Sequence, residues 1–286
     1  MTHILYNAKA NCGRGADVLP AVKAALPDER DWKEADLTKI DTAAYIAAIP
    51  ADEKVIVCGG DGTLNHLATD LYGKAYSAKL FLFKSGTGND FLRDVDPDGS
   101  ALFPLDDYIR HVPQVEVNGR KSRFINGCGY GIDGMVCEVA DQMIAEGKKD
   151  LNYAGIAIKL VLTKFKCPSA KVTVDGVVHE YKRVWLASAM NGRFYGGGMM
   201  LAPSQDRKSG KLSCVVWHDV GRLTALMRFS SMFKGEHVKY KKMIDIFEGD
   251  EIEVEFNLPT ALQIDGETNS GVTKYVAKSE AAAAKE

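Results

Sequence analysis

The sequence predicts an α/β protein in which an N-terminal three-layer α/β/α domain, residues 1–113, precedes a mostly antiparallel β domain, residues 114–258. Up to about residue 100, short apolar runs alternate with helical patterns, as in a parallel sheet covered on both faces by helices. After Pro113, β-branched runs separated by turn signals such as Asn118-Gly119 are typical of antiparallel strands. The 286 residues are enough for two domains with separate cores.

The elements of the first domain are predicted from apolar spacing. After residue 60, Leu64, Leu67, Ala68 and Leu71 follow the i, i+3, i+4, i+7 spacing of one helix face. The other predicted elements are helices over 18–26 and 42–49 and buried strands over His3–Asn7, Lys54–Cys58 and Lys79–Phe83.

The second domain is predicted from alternation and turn residues, with helical stretches at about 134–166 and 220–234. Residues 259–286 form a separate C-terminal segment, whose end from Ser279 is predicted to be a weak helix or a disordered tail. The predicted strands are Val115–Val117, Arg123–Asn126, Ala170–Val174, Tyr181–Met190, Leu212–Trp217 and Glu251–Phe256.

Composition excludes several classes of protein. The net charge of −2 provides no global field to attract nucleic acid, so no nucleic-acid partner is expected. The six cysteines form no C-x-x-C pair, which argues against a zinc site or a disulfide framework and favours idle thiols in a reducing cytosol. No apolar stretch reaches the roughly 18–20 residues that span a bilayer, and the start of the chain is strand-like rather than a signal peptide. The sequence therefore predicts a cytoplasmic protein without a transmembrane segment.

A glycine loop follows the predicted buried strand Lys54–Cys58. In Gly59-Gly60-Asp61-Gly62-Thr63, the glycines allow backbone N–H groups to approach an anion, and the following helix adds its positive N-terminal end. Thr63 is predicted to be the N-cap of that helix. A carboxylate at Asp61 would repel phosphate, so it indicates either Mg²⁺ chemistry or a general base. An ordinary strand-to-helix turn is the alternative.

A second loop of this kind, Ser85-Gly86-Thr87-Gly88-Asn89-Asp90, follows the next buried strand. In a parallel sheet both loops would lie at the carboxyl edge, where ligands bind. Two glycine loops at one edge predict a nucleotide site.

The two loops together resemble the catalytic domain of the diacylglycerol kinase family, which includes bacterial soluble lipid kinases and the sphingosine and ceramide kinases. The resemblance extends over nearly the whole chain. Asn7 to Gly15 is similar to the family's first phosphate-proximal loop, with Ala8 in place of the usual proline. Asp265-Gly266-Glu267 matches a late Asp-Gly-Glu element, which implies that residues 259–286 return to the first domain.

The resemblance implies ATP and Mg²⁺ as cofactors and assigns roles to individual residues. Glu267 would be the general base on the lipid hydroxyl, Asp265 would support it, and Asp61 would organise Mg²⁺ and phosphate. The implied nucleotide-binding residues are Asn7, Gly59, Gly60, Asp61, Gly62, Thr63, Asn65, Gly86, Thr87, Asn89 and Asp90.

The chain departs from the family pattern at two sites besides Ala8. The family's structural Mg²⁺ turn corresponds to residues 202–211, where Ser209 replaces the expected acid. Its candidate metal positions are Asp206, Ser209 and Lys211, although lysines in this turn place positive charge beside a cation. Asp36 lies near the place of a nucleotide-contacting threonine, so that contact is in question.

Basic amphipathic segments predict how a lipid acceptor would be reached. Lysines flank the apolar positions in residues 148–166, and residues 222–242 show the same pattern. Such segments lie in membrane interfaces, or else pack their apolar face on the β domain and solvate their lysines. A peripheral position on the inner face of the membrane is expected, and a homodimer is left open.

The sequence thus predicts an ATP-dependent lipid kinase, with diacylglycerol as the default acceptor and phosphatidic acid as the product. Two alternatives remain. NAD kinases share the Gly-Gly-Asp-Gly-Thr loop, but they usually carry an Asn-Glu pair downstream, where this chain has Gly-Thr-Gly-Asn-Asp. A non-catalytic nucleotide- or lipid-binding relative is the other alternative, and the changes at Asp36 and Ser209 keep it open.

Overall fold

A computed structural model describes residues 1–86, 89–148, 151–163 and 165–285. The chain divides into two compact units, Met1–Val112 and Pro113–Glu286. Within the described residues, none of the helices combines the length and the apolar content that crossing a membrane requires.

The first unit is built around the predicted parallel sheet. Strands β1, β2, β3 and β4 run parallel in the order β2-β1-β3-β4, and β5 pairs antiparallel with β4. The elements are β1 (Thr2–Tyr6), α1 (Ala10–Gly13), a 3-10 helix (Gly15–Val18), α2 (Leu19–Ala25), β2 (Trp32–Asp36), α3 (Thr42–Ala47), β3 (Lys54–Gly59), α4 (Asp61–Leu71), β4 (Lys79–Lys84), α5 (Asp90–Val95), β5 (Phe103–Pro104) and α6 (Asp106–Ile109).

The apolar spacing explains this arrangement. Val55, Ile56 and Val57 are all buried because β3 is an interior strand. On α4 the predicted stripe Leu64, Leu67, Ala68 and Leu71 is buried, as a helix lying on a sheet requires. The parallel sheet with helices is therefore confirmed.

The second unit is mostly antiparallel, as predicted. Its main sheet has the strand order β13-β12-β11-β8-β14-β15-β6-β7, and β9 pairs with β10 and β14. The elements are β6 (Gln114–Val117), β7 (Arg120–Arg123), β8 (Gly127–Tyr130), α7 (Ile132–Ala145), α8 (Tyr153–Leu162), β9 (Ala170–Val174), β10 (Val177–Tyr181), β11 (Val184–Met190), β12 (Leu212–His218), α9 (Arg222–Phe229), 3-10 helices Ser230–Lys234 and Glu236–Lys239, β13 (Ile244–Gly249), β14 (Glu251–Ile264), β15 (Glu267–Lys278) and α10 (Glu280–Ala283).

Strands β11 and β12 are buried along their whole length because their two faces pack in different cores. Along β12, Cys214 and Val216 enter a core made by strand residues and Phe124, whereas Val215 and Trp217 pack with α7, α8 and α9. The two-residue side-chain period of a strand separates these sets. The helices therefore cover one face of the sheet.

Several predicted boundaries are wrong. Of the predicted strand Arg123–Asn126, Arg123 ends β7, whereas residues 124–126 form a break before β8, because the amides of residues 125–127 bind a side chain instead of a neighbouring strand. The predicted strand Tyr181–Met190 is interrupted at Lys182-Arg183, and the predicted strand Glu251–Phe256 continues to Ile264. Of the two alternatives left open for the tail, a weak helix or a disordered end, the structure shows a short helix, with the Ser279 hydroxyl accepting from the Ala282 amide.

Candidate active site

The carboxyl ends of β1, β2, β3 and β4 meet at one edge of the first unit's sheet. Asn7, Asp36, Gly60 and Ser85 lie at or directly after these ends. Strand β1 lies between β2 and β3. The chain passes from β1 to β2 on one side and then crosses to β3 on the other side, so the order of the strands reverses between β1 and β3, and this is a topological switch point. Open α/β sheets bind ligands in the crevice at such a point.

The two glycine loops touch through their backbones. A Cβ atom on Gly86 would lie 2.7 Å from the Cα atom of Gly60, and one on Gly60 would lie 3.1 Å from the Cα atom of Gly86. The Ser85 amide donates to the Gly59 carbonyl at 3.2 Å. A side chain at Gly60 or Gly86 would hold the loops apart, so both positions need glycine.

Asp61 links the first loop to the second. It is the first residue of α4, and its two carboxylate oxygens accept from the amides of Asp90 and Phe91, each at 2.9 Å. These amides begin α5 and have no acceptor within that helix. A carboxylate is favourable there because the helix N-terminus carries a partial positive charge. The predicted role of Asp61 in organising Mg²⁺ stays a prediction, and the structure adds that it holds the loops together.

Asn89 precedes α5 in a left-handed backbone conformation, with φ of 49°. Its side-chain amide donates to the Gly86 carbonyl, whereas its Oδ1 atom is buried and lacks a hydrogen-bond partner in the described residues. Buried acceptors are rarely left in this state, so Oδ1 is a place where a ligand donor or a water would bind. Asp90 is also buried, with its Oδ1 atom 3.8 Å from Nε of Arg93. The predicted site residue Thr87, with Gly88, lies outside the described residues.

Thr63 does not cap α4. The helix begins at Asp61 with Gly60 as its N-cap residue, so the predicted N-cap at Thr63 is wrong. Thr63 instead packs over Gly59, where a Cβ atom would lie 2.4 Å from the Thr63 Cβ atom. A Cβ atom on Gly62 would point into open space, and Asn65 is buried on the same helix.

In the second unit, Asp265 lies at the tip of the β14–β15 hairpin. Asp265 and Gly266 have φ values of 47° and 97°, which tight two-residue hairpins require. The Asp265 carboxylate accepts from the amides of Ile125, Asn126 and Gly127, at 2.5, 2.8 and 3.0 Å. Asp265 therefore fixes the hairpin tip against the segment before β8.

Glu267 is the first residue of β15, pairs with Ile264 across the hairpin, and is exposed. Because Asp265 is anchored two residues earlier, the backbone that carries Glu267 has a defined position. The predicted base and its predicted support are thus placed on one hairpin tip.

Arg207 and Asn191 belong to the same cluster and were missed by the sequence analysis. The Arg207 guanidinium donates to the Ile125 carbonyl at 2.5 Å and to Oδ1 of Asn126 at 2.6 Å. Asn191 donates its side-chain amide to the Ile125 carbonyl at 2.9 Å. These residues are 66 to 82 positions from their partners, and no local motif marks them.

Comparison with known proteins identifies the family. The model of the diacylglycerol kinase catalytic domain matches residues 1–115, and the model of the YegS C-terminal NAD kinase beta sandwich-like domain matches residues 127–281.

The chain belongs to the diacylglycerol kinase family.

A diacylglycerol kinase of Mycobacterium tuberculosis is 26% identical over 234 residues, which is 79% of this chain and 71% of that protein. A diacylglycerol kinase of Staphylococcus aureus is 24% identical over 245 residues, covering 78% of this chain and 74% of that protein. A crystal structure of a candidate diacylglycerol kinase from Bacillus anthracis matches the fold with a TM-score of 0.67 at 24% identity, over 97% of this chain and 91% of that one.

Two departures from the diacylglycerol kinase pattern are coupled in the structure. The Ala8 amide donates to Oδ1 of Asp36 at 3.2 Å, a bond that a proline at position 8 would lack. The same oxygen accepts from the Thr38 amide and hydroxyl at 3.1 and 3.0 Å. Desolvation raises the pKa of Asp36, but these bonds and Lys39 outweigh it and the net pKa is lowered. Asp36 thus joins the loops after β1 and β2. In the first of these loops, the Asn7 side chain accepts from the Lys9 amide at 2.9 Å.

The turn that corresponds to the family's Mg²⁺ site is closed by its own hydrogen bonds. Oδ1 of Asp206 accepts from the Lys208 amide at 2.9 Å, and the Ser209 hydroxyl donates to the Asp206 carbonyl at 2.8 Å while accepting from the Lys211 amide at 3.2 Å. Within the described residues, no three acidic, histidine or cysteine side chains group together as metal ligands. Mg²⁺ demands near-octahedral oxygen ligands, and this turn offers one exposed carboxylate, so its donors do not fit a protein-held ion.

A buried acid in the second unit was also missed. Oδ2 of Asp133 accepts from the Tyr195 hydroxyl at 2.8 Å and the Ser188 hydroxyl at 3.1 Å. Burial raises the pKa of Asp133, although hydrogen bonds from Tyr195, Gly134 and Ser188 oppose this. A Cβ atom on Gly129 would lie 1.9 Å from the same oxygen, so glycine makes room for the carboxyl group.

A cleft of about 840 Å³ lies elsewhere in the first unit. It is lined by residues of α3 and the C-terminal end of α4, among them Thr42, Ala44 and Asp70, and by none of the predicted site residues. Convergent polar groups, rather than cavity size, mark the loop edge as the candidate site.

The contact between the glycine loops gives a direct prediction. Gly86→Ala should lower the free energy of unfolding by about 1–3 kcal/mol, because the new Cβ atom would overlap backbone atoms of Gly60. Gly62→Ala is the matched control. It places a methyl group in open space on α4 and should keep or raise stability, by up to about 1 kcal/mol. Chemical denaturation measures both, and equal stabilities would contradict the contact.

Proposed function

We propose that this chain is an ATP-dependent lipid kinase that transfers the γ-phosphate to a lipid hydroxyl, with diacylglycerol as the acceptor and phosphatidic acid as the product. The observation that carries the proposal is the pair of touching glycine loops at the carboxyl edge of the parallel sheet, tied together by Asp61. The family of the chain and the names of its relatives support a kinase.

The residues of the loop edge fit a nucleotide. Gly60 and Gly86 carry no side chain of their own that would keep a phosphate from the backbone, and the N-terminus of α4 offers orphan amides of the kind that bind phosphate. The buried Oδ1 atom of Asn89 would accept from a ligand hydroxyl or amine. Mg²⁺ bound with ATP would supply neutralisation of the phosphate charge. The residues that would hold the nucleotide are Asn7, Gly59, Gly60, Asp61, Gly62, Thr63, Asn65, Gly86, Thr87, Asn89 and Asp90.

Glu267 is the proposed general base. Its exposed carboxylate would take the proton of the acceptor hydroxyl while the acceptor oxygen bonds to the γ-phosphorus and the bond from phosphorus to the ADP oxygen breaks. Asp265 is a positioning residue, because its carboxylate already accepts from three backbone amides. Phosphoryl transfer depends mainly on alignment, so a fixed hairpin tip is what this step needs.

An assay with labelled ATP, Mg²⁺ and a panel of acceptors tests the proposal. We expect label to pass to diacylglycerol in mixed micelles and not to NAD. Transfer to NAD alone would replace the proposal by an NAD kinase activity, an alternative that the NAD kinase-like domain match makes worth including. ATP binding without transfer to any acceptor would make the chain a non-catalytic relative.

A further inference from the structure

Helices α8 and α9 expose apolar side chains that a soluble helix normally hides. On α8, Ile156 and Leu160 pack in the core, but Ile158 and Leu162 are 40% and 51% exposed. On α9, Leu223 and Met227 are 67% and 60% exposed. Each exposed pair has the i, i+4 spacing of one helix face. Contiguous apolar side chains of this kind mark an interaction surface rather than scattered exposure.

Helices α8 and α9 pack against each other and are joined by Arg222. Arg222, the first residue of α9, donates to the Val161 carbonyl at 2.5 Å and to the Phe165 carbonyl at 2.8 Å, at the end of α8. Leu162 and Leu223 are the chain neighbours of Val161 and Arg222. The α8–α9 face is defined here as Ile158, Leu162, Leu223, Met227 and the half-exposed Phe233 that follows α9.

In the segments that carry this face, all the charged residues are basic. Residues 151–169 contain three lysines and residues 220–235 contain Arg222, Arg228 and Lys234, with no aspartate or glutamate in either segment. The chain as a whole has a net charge of −2, so the positive charge of these two segments is opposite in sign to the net charge of the chain. Arg228 directly follows Met227 in the chain, lies over the Tyr240 ring at 4.5 Å and donates to its hydroxyl at 2.9 Å.

We propose that the α8–α9 face docks on the surface of a bilayer that contains anionic lipid, an inference that rests on the proposed lipid kinase function. Exposed aliphatic side chains bordered by lysine and arginine are what interfacial helices use to enter the headgroup region. Anionic headgroups attract such basic segments. Charge selects this occupant over a second copy, because pairing two such faces would bring like charges together.

Vesicle flotation tests the docking face. The full chain should bind vesicles of phosphatidylcholine mixed with phosphatidylglycerol, bind phosphatidylcholine alone weakly, and lose binding in high salt. The double variant Leu223→Ser with Met227→Ser should bind the anionic vesicles about tenfold less. The control is Val177→Ser with Val178→Ser, which removes apolar side chains that are 59% and 48% exposed on β10 and should bind as the unchanged chain does.

A second measurement separates docking from catalysis. With a short-chain diacylglycerol dissolved below its aggregation limit, the Leu223→Ser, Met227→Ser variant should transfer phosphate as fast as the unchanged chain. Absence of transfer by the unchanged chain, with vesicle binding intact, would remove the kinase proposal and leave the docking face.

Docking would be overturned if the unchanged chain failed to bind anionic vesicles, or if both variants bound them equally. It would also be overturned if sedimentation showed that the α8–α9 variant turns a dimer into a monomer, since the face would then join copies of the chain.

Discussion

Glu267→Gln should lower the rate of phosphoryl transfer to the lipid by about 10²–10⁴-fold, the usual contribution of a general base. Glutamine keeps the size and the hydrogen-bonding capacity of the side chain but cannot take the proton of the acceptor hydroxyl. Because Glu267 is exposed, its replacement should leave the free energy of unfolding within about 0.5 kcal/mol of the starting value. Single-turnover transfer with saturating ATP measures the rate.

Glu248→Gln is the matched control for this change, since Glu248 is an exposed glutamate on a strand of the same unit. It should transfer phosphate at the original rate, and both variants should keep their affinity for ATP. A Glu267→Gln enzyme within about threefold of the original rate would exclude Glu267 as the proton acceptor.

Asp61→Ala should lower both stability and transfer. Two amides at the start of α5 would lose a charged acceptor, which costs about 2–3 kcal/mol of unfolding free energy. The second glycine loop would then be free to move away from the first, and misplaced phosphate contacts cost about 10²-fold or more in rate. Denaturation with bound and free nucleotide, together with the transfer assay, measures the two effects.

Asp70→Ala provides the comparison, because Asp70 is an exposed acid on the same helix, α4. It should change stability by less than about 0.5 kcal/mol. Asp61→Asn, which keeps one acceptor oxygen, should lose less stability than Asp61→Ala. If Asp61→Ala were as stable and as active as the Asp70→Ala control, the hydrogen bonds from Asp61 to the second loop would contribute neither to stability nor to catalysis.

Elements with apolar spacing were predictable from the sequence, and elements without it were not. Strands β1, β3 and β4 are interior strands with apolar runs, and all three were predicted. Strand β2 has the sequence Trp-Lys-Glu-Ala-Asp and lies at the sheet edge, where one neighbour supplies its hydrogen bonds and few apolar residues are needed. Strand β15 has mostly polar residues because one of its faces is largely exposed.

In the candidate site too, local sequence patterns were predictable, whereas contacts between residues far apart in the sequence were not. Glycine followed by a helix start is a local pattern, so the loops at Gly60 and Gly86 were predictable. The acceptors of side-chain hydrogen bonds are not local. Asp61 binds amides 29 and 30 positions away, and nothing in its own segment indicates them. Ala8 and Asp36 are a second example. In the sequence they are two separate departures from the family pattern, but in the structure the Ala8 amide donates a hydrogen bond to the Asp36 carboxylate.

The hairpin tip at Asp265 has a consequence for how the chain folds. Its carboxylate joins amides that lie 138 to 140 positions earlier in the sequence. Contacts of such separation are entropically costly to close and are formed slowly. During synthesis, the amides of residues 125–127 therefore cannot reach this acceptor until Asp265 has left the ribosome. The proposed base and the residues that fix it should be among the last parts of the second unit to become ordered.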